Sequence, residues 1–237
     1  MLQSNMPLFQ AAFWSVLTIG LYALGKALYR RKSCMLSSPL FITPVLLILA
    51  TLLFHVSYAQ YIRGTHWLVA LLGPATVAFA VPIYEQRALI CRHWVLLVVG
   101  VVAGSITAVV SSWELSNLLG LNDSLRLSLL PRSMSTPFAM AVSGDIGGAP
   151  GLTAVFVVLT GVLGAALGEG LINYLPLRSV FSRGALLGMG AHGAGTAKAH
   201  QIDQEVGAIA GLVMVLVGLF NVLAAPVLVY CLGMAGK

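Results

Sequence analysis

The chain reads as an all-α, polytopic membrane protein of about six to eight transmembrane helices, several of them discontinuous. Three observations lead there. Charged residues make up only 8% of its 237 residues, hydrophobic ones make up 59%, and the mean hydropathy is +0.95. A soluble domain carries about 25% charged residues, so this chain cannot cover a water-facing surface. Second, its apolar runs are separated by short loops, and the net charge of +6 sits mostly in those loops. That is the pattern that orients a membrane protein, not one that binds nucleic acid. Third, some membrane-like stretches are interrupted by Gly, Pro, Ser and Thr, and two of these hold a cation, Arg132 and Lys198.

Residues 8–29 form the first span, closed by Lys26, Arg30, Arg31 and Lys32. The start of the chain lacks a basic segment and a small-residue cleavage site, so this span reads as retained. A second span covers roughly 39–57 and exits into a loop with Arg63 and His66. The run at 71–86 contains Pro74 and Pro82, each of which removes a main-chain hydrogen bond, so the span is expected to be discontinuous. Residues 94–112 cross again, and the polar stretch 113–127 reads as a seam. The expectation is one transmembrane domain over 1–237, divisible into halves at 1–112 and 124–237.

Beyond the seam, SGDIGGAPG (143–151) cannot continue a helix, because Gly147, Gly148 and Pro150 interrupt it. A regular span follows at 152–172 and a last one at about 207–232. The loop with Arg178 and Arg183 is cytoplasmic by charge. Parity then requires 128–143 to enter and leave on the outer side, with 184–199 doing the same from the inner side. On this count eight of the thirteen Lys and Arg residues are cytoplasmic: 26, 30, 31, 32, 87, 92, 178 and 183. Paired broken segments approaching from opposite faces are what an inverted-repeat transporter shows.

Irregular backbone at membrane depth survives only where it is buried in protein or lines a wet cavity. In LLPRSMSTPFAM (129–140), Pro131 and Pro137 bracket Arg132, Ser133, Ser135 and Thr136. Free N–H groups at a half-helix start, hydroxyls and one guanidinium suit a carboxylate. The competing reading has Arg132 snorkelling to the interface, with the hydroxyls satisfying a kinked helix. The second segment, GMGAHGAGTAKAH (188–200), offers His192, Thr196 and Lys198 among Gly188, Gly190, Gly193 and Gly195. Its G-x-G-x-x-G lacks the strand–turn–helix setting of a dinucleotide site, so close helix packing is the better account.

Lys198 is either a second anion contact or an interfacial anchor. His192 and Glu205 are candidates for carrying a coupling proton. Asp145 reads as a turn cap, and Glu169 as a pairing group at a small-residue interface. His192, His200, Asp203 and Glu205 lack metal-ligand spacing, so neither metal nor cofactor is expected. Cys34, Cys91 and Cys231 are odd in number and far apart, and read as apolar packing residues. No G-x-S-x-G elbow is present, and the chain does not read as an enzyme.

LLPRSMSTPFAM, the D-I-G-G-A-P turn (145–150), GAHGAGTA (190–197) with Glu205 beyond it, and GPATVAFAVPIYEQ (73–86) together resemble the LrgB/CidB family. The resemblance covers nearly the whole chain, and its motifs are long and unusual for membrane sequence. That family includes bacterial inner-membrane proteins and the plastidial glycolate/glycerate translocator. This chain departs from the family pattern at three places. The family generally carries Lys at the position of Arg132, Ile-Pro at Ala149-Pro150, and Ser-His at Ala191-His192. Asp145 and Glu169 are not family signatures. A guanidinium in place of an ammonium keeps the charge but changes the preferred geometry of the anion.

The resemblance implies two functions. One is holin- or antiholin-like modulation of murein hydrolase activity and lysis, with a small LrgA/CidA-like membrane partner. The other is movement of small monocarboxylates such as pyruvate, glycolate, lactate and glycerate, coupled to an ion or proton. It also implies a multi-pass protein of the bacterial inner membrane that forms a homo-oligomer. The residues themselves favour transport, since a holin-like pore needs no embedded cation beside a hydroxyl-rich break. The charge pattern predicts an extracytoplasmic N-terminus with cytoplasmic loops at 26–33 and 173–184. Cysteine labelling at position 31 is expected only from the cytoplasmic side; labelling only from outside would refute this topology.

Overall fold

The computed structural model describes residues 6–31 and 38–231, and every described element is helical. Lys32 and Cys34 lie outside those residues, as does the side chain of Cys231. Five helical stretches are long and apolar enough to cross a membrane: Phe9–Arg31, Tyr58–Glu85, Arg87–Leu118, Pro150–Tyr174 and Gln204–Tyr230. The chain divides into two compact units, Met1–Ala75 and Thr76–Lys237.

In the first unit, α1 (Met6–Arg31) packs on α2 (Pro39–Leu53) and α3 (Tyr58–Ala70). Trp14 meets Tyr61 edge to face with ring centroids 5.6 Å apart. Ser15 donates to the Gly64 carbonyl and accepts from Trp67 Nε1 at 2.8 Å. The expected loop around Arg63 and His66 is instead helical. Ser57 and Gln60 form a reciprocal capping box that starts α3 five residues before Arg63. A polar residue on one face of a helix does not end it.

Next come α4 (Leu72–Ala78) and α5 (Ala80–Glu85), interrupted at Phe79. Pro74 and Pro82 each occupy the first turn of their short helix, where a main-chain N–H has no intrahelical partner to lose. The span is discontinuous, as the prolines predict, and its break falls between them.

The second unit holds the remainder. Its long helix α6 (Arg87–Leu118) bends at His93 (φ −121°, ψ 24°) and extends six residues into the polar stretch 113–127 before it ends. The turn at 119–122 that follows lies within this unit, with Gly120 at φ +62°.

After that turn the chain makes a re-entrant hairpin. It consists of α7 (Asp123–Leu129), a 3-10 turn (Leu130–Ser133) and α8 (Thr136–Asp145). Both ends of the hairpin meet at the first turn of α9 (Pro150–Tyr174). Thr153 donates toward the Ser128 carbonyl at 3.0 Å and Ser143 Oγ at 2.7 Å. Ser128 Oγ in turn accepts from the Ala149 N–H at 2.8 Å. Ser128, Ser143 and Thr153 are completely buried. Gly147 (φ +82°) supplies the left-handed residue that the exit turn needs.

The last two elements are α10 (Val180–Ile202) and α11 (Gln204–Cys231). The run α10 is two helical arms joined at His192, whose backbone sits outside the helical region at φ 37°, ψ −120° and reverses the chain. A side chain at Gly195 would collide with the carbonyl of Leu187, eight residues earlier. In a straight helix those positions lie about 12 Å apart, so the two arms fold side by side. Both arms also touch the start of α11. Gly184 meets Ile209 and Gly188 meets Ala210, while on the return His200 lies against Gly207. This is a second re-entrant hairpin.

The two hairpins enter from opposite ends of α9. The first is tied to Thr153, whereas Leu187 of the second packs on Gly168 and His192 on Gly161. The small stripe Gly161, Gly164 and Gly168 lets the descending arm of α10 lie directly on α9. On the other side of α9, Leu152, Val155, Leu159, Leu163 and Leu167 are exposed, a face suited to lipid.

A Cβ at Gly188 would strike the main chain of Ala210. Gly188→Val is therefore expected to destabilise the detergent-solubilised protein by about 1–3 kcal/mol through overpacking. Gly190→Ala, which meets nothing within 4 Å, should leave the melting temperature unchanged. Equal melting temperatures for the two variants would contradict this packing.

Candidate functional site

The two hairpin tips meet near the middle of α9, all within the second unit. Gly161 lies eight residues past Thr153, which places the tips about 12 Å from the base of the first hairpin. On the 3-10 turn, Leu130 and Pro131 are buried and anchor the loop, leaving Arg132 half-buried beside them. Arg132 Nε donates to Ser112 Oγ at 2.8 Å. The Ser112 hydroxyl donates to the Ala108 carbonyl at 2.7 Å, so its lone pairs are turned to the guanidinium. Among the described residues Arg132 has no acidic partner. The cation is held by neutral oxygen alone.

His192 comes to this point from the other tip. It is 4% exposed, lies beside the main chain and guanidinium of Arg132, and its Nε2 has no partner among the described residues. Its ring fits because Gly161 has no side chain: a Cβ there would be 2.9 Å from Cε1. Ser135, the residue before α8, is 6% exposed and its Oγ also has no partner. Thr136 opens α8, and Pro137 occupies its first turn. The first turn of α8 and the start of the returning arm of α10 thus both lie at the tips, and helix N-termini carry partial positive charge. Gly190 and Gly193 are exposed and leave one side of the second tip open.

Of the residues singled out in the sequence, the structure brings together Arg132, Ser135, Thr136 and His192. Ser133 lies on the neighbouring wall of the same turn, facing Ser105 and Asn221 across a narrow crevice. Pro131, Pro137, Gly147, Gly148, Pro150 and Gly195 sit at hairpin turns or close contacts. The others lie elsewhere. Lys198 is paired with Glu169 of α9 at 2.7 Å, and both are partly exposed. The ammonium expected to contact an anion thus has a carboxylate partner, because the return arm runs back along α9. Thr196 approaches Met214 Sδ at 3.9 Å. Glu205 is exposed at the base of the second hairpin, where its N–H donates to Asp203. His200 pairs with Gln204 at 3.3 Å.

Reading the sequence segment by segment missed Ser112, the hydroxyl that holds Arg132, and the Ser128–Ser143–Thr153 network. A signal for the first was present. Ser105, Ser112 and Ser116 recur at helical spacing within an otherwise apolar run, which puts them on one face of α6. The second had none, since it joins three segments through tertiary contact.

Comparison with known proteins agrees with the whole-chain extent of these features. The model of the LrgB-like family matches residues 18–231. The uncharacterized protein YwbG of Bacillus subtilis is 41% identical over 212 residues, 90% of this chain and 94% of that protein. The antiholin-like protein LrgB of the same organism is 32% identical, over 93% of this chain and 96% of its own. The holin-like protein CidB of Staphylococcus epidermidis is 30% identical, again over 93% and 96%. No solved structure matches.

Proposed function

This chain belongs to the LrgB-like family, and we propose that it moves small monocarboxylate anions across the bacterial inner membrane. One observation carries the reading. A guanidinium with only a neutral hydroxyl as partner sits where two oppositely inserted hairpins meet, beside two helix N-termini. Holding such a cation away from water is costly unless an anion or a cavity accompanies it. A carboxylate there would accept from Arg132, from the N–H of Thr136 at the start of α8, from the Ser135 hydroxyl and, once the ring carries a second proton, from His192 Nε2. The acids that fit are the pyruvate, glycolate, lactate and glycerate class. His192 is the group placed to share a coupling proton with them, whereas Glu205 lies at the hairpin base.

The names of two relatives favour a second reading, in which the chain is a holin- or antiholin-like modulator of murein hydrolase activity and lysis. On that reading it acts with a small LrgA/CidA-like membrane partner and as a homo-oligomer. The two readings separate in proteoliposomes, with and without a pH gradient and with any partner supplied. Transport predicts saturable uptake of labelled C2–C3 acids. Absence of such uptake, from protein whose expression still alters autolysis, would establish the second reading.

Arg132→Gln keeps bulk and hydrogen-bonding capacity while removing the charge. Uptake is expected to fall at least about tenfold, since a charge-assisted contact is worth about 1.5–3 kcal/mol. Arg132→Lys should retain part of the activity, because the charge survives and only the planar fork is lost. Lys198→Gln is expected to have a smaller effect, as its partly exposed ion pair contributes about 1 kcal/mol or less. Normal uptake by Arg132→Gln at unchanged expression would assign Arg132 to anchoring instead.

A further inference from the structure

Helices α5 and α6 meet at Gln86 (φ −94°, ψ 15°), and a recess of about 410 Å³ opens between them, wholly within the second unit. That is the size of a small-ligand site. Its walls are Ala80, Ile83, Ile90 and Cys91, with Tyr84 and Arg87 nearest the junction. Ile83 and Ile90 also pack on the core that α6 and α11 share, so two of the walls are fixed. The Arg87 side chain is fixed as well. Its Nη1 donates to the Tyr84 carbonyl at 2.9 Å, and its guanidinium lies over the Tyr84 ring, 4.3 Å from the centroid.

That bond leaves the other N–H groups of the guanidinium available. Among the described residues the ion pairs are Arg126–Asp123 and Lys198–Glu169, so Arg87 has no carboxylate partner there. Glu85, the nearest carboxylate in sequence, does not line the recess. Arg87 is also the first residue of α6, so the positive end of that helix adds to its charge. As the start of a spanning helix it stands at membrane-surface level, and the apolar walls run from it toward the bilayer interior. Val81 of α5 and Trp94 and Val95 of α6 are exposed, a surround suited to lipid. A small dissolved anion in the recess would leave the apolar walls bare, and a plain alkyl chain would leave the cation unmatched. An anionic group joined to a long alkyl chain satisfies both.

We propose that this recess binds an anionic phospholipid, its phosphate held by Arg87 and one acyl chain lying along Ala80, Ile83 and Ile90. Basic recesses between membrane helices suit such headgroups, and the charge pattern places this end of α6 at the cytoplasmic leaflet, where anionic lipids gather. The site is separate from the hairpin tips and stands whatever the protein moves. Phe79, the residue before α5, packs on Phe138 of the first hairpin with ring centroids 5.5 Å apart. A lipid seated against α5 therefore also supports that hairpin.

The test is titration of phosphatidylglycerol and of phosphatidylcholine into the full-length protein in neutral detergent, read as the apparent Kd of each lipid. Salt at about 0.3 M screens diffuse attraction between exposed charges and leaves the seated contact. Wild type is expected to bind phosphatidylglycerol about tenfold more tightly, the value of one charge-assisted contact. Arg87→Gln should abolish that preference and Arg87→Lys should keep part of it. Ala80→Leu, which fills the recess, should weaken phosphatidylglycerol binding with the charge intact. Arg92→Gln removes the same charge from a residue of α6 outside the lining, and should change neither Kd. Equal Kd values for the two lipids in wild type overturn the proposal, and so does a loss in Arg92→Gln as large as that in Arg87→Gln. Inorganic phosphate that competes with phosphatidylglycerol at equal affinity would mark a site for a dissolved anion and overturn it too. Should Arg87→Gln fail to insert, Ala80→Leu decides, and unchanged binding there refutes the site.

Discussion

A chain can reverse direction inside a bilayer only if every main-chain group freed at the turn finds a partner within the protein. Two such reversals define the second unit, and each meets the requirement differently. The first hairpin turns through a tight 3-10 loop and is secured at its base by Thr153, Ser128 and Ser143. The second breaks between two helical arms at one residue, His192, in a backbone conformation that non-glycine residues rarely adopt. Strain of that kind persists where the surroundings over-determine it, and it concentrates at functional sites. Here the surroundings are the glycine face of α9 on one side and the Arg132 turn on the other.

From these reversals follows the distribution of charge. Each hairpin's returning arm begins at its tip, so two partial positive charges are added to the formal charge of Arg132. The side chain that holds Arg132 is a neutral hydroxyl, that of Ser112. Glu169 of α9 is instead paired with Lys198. The second unit therefore keeps the Lys198–Glu169 pair apart from Arg132.

Much of this was legible in the sequence where the cause is local. Proline and glycine act on the backbone of their own turn, so the interruptions at 131–137 and 145–150 have local causes, whereas the break in α10 falls on His192 rather than on a glycine. Parity of the basic loops calls for two segments that return to their own side, a topology that labelling at position 31 tests. The misreadings also have local causes. Arg63 and His66 suggest a loop because charge stands in for helix ending, yet the capping box at Ser57 and Gln60 starts a helix ahead of them. The polar stretch 113–127 begins inside α6, which ends at Leu118 ahead of the turn at 119–122. Lys198 looked like Arg132 in the sequence, and only the register of α10 on α9 shows that Glu169 reaches it. Contacts between distant segments leave no periodic trace for a single sequence to show.

The closure at Thr153 also bears on how the protein is made. Ser128 emerges from the ribosome twenty-five residues before the hydroxyl that secures it. Until α9 exists, the Ser128 carbonyl and the Ser143 hydroxyl lack the Thr153 hydroxyl that joins them, and lipid supplies no substitute. The same holds for α10, whose glycines lie against the first turns of a helix not yet synthesised. Each hairpin is therefore complete only once the helix that follows it in the chain is present to close it.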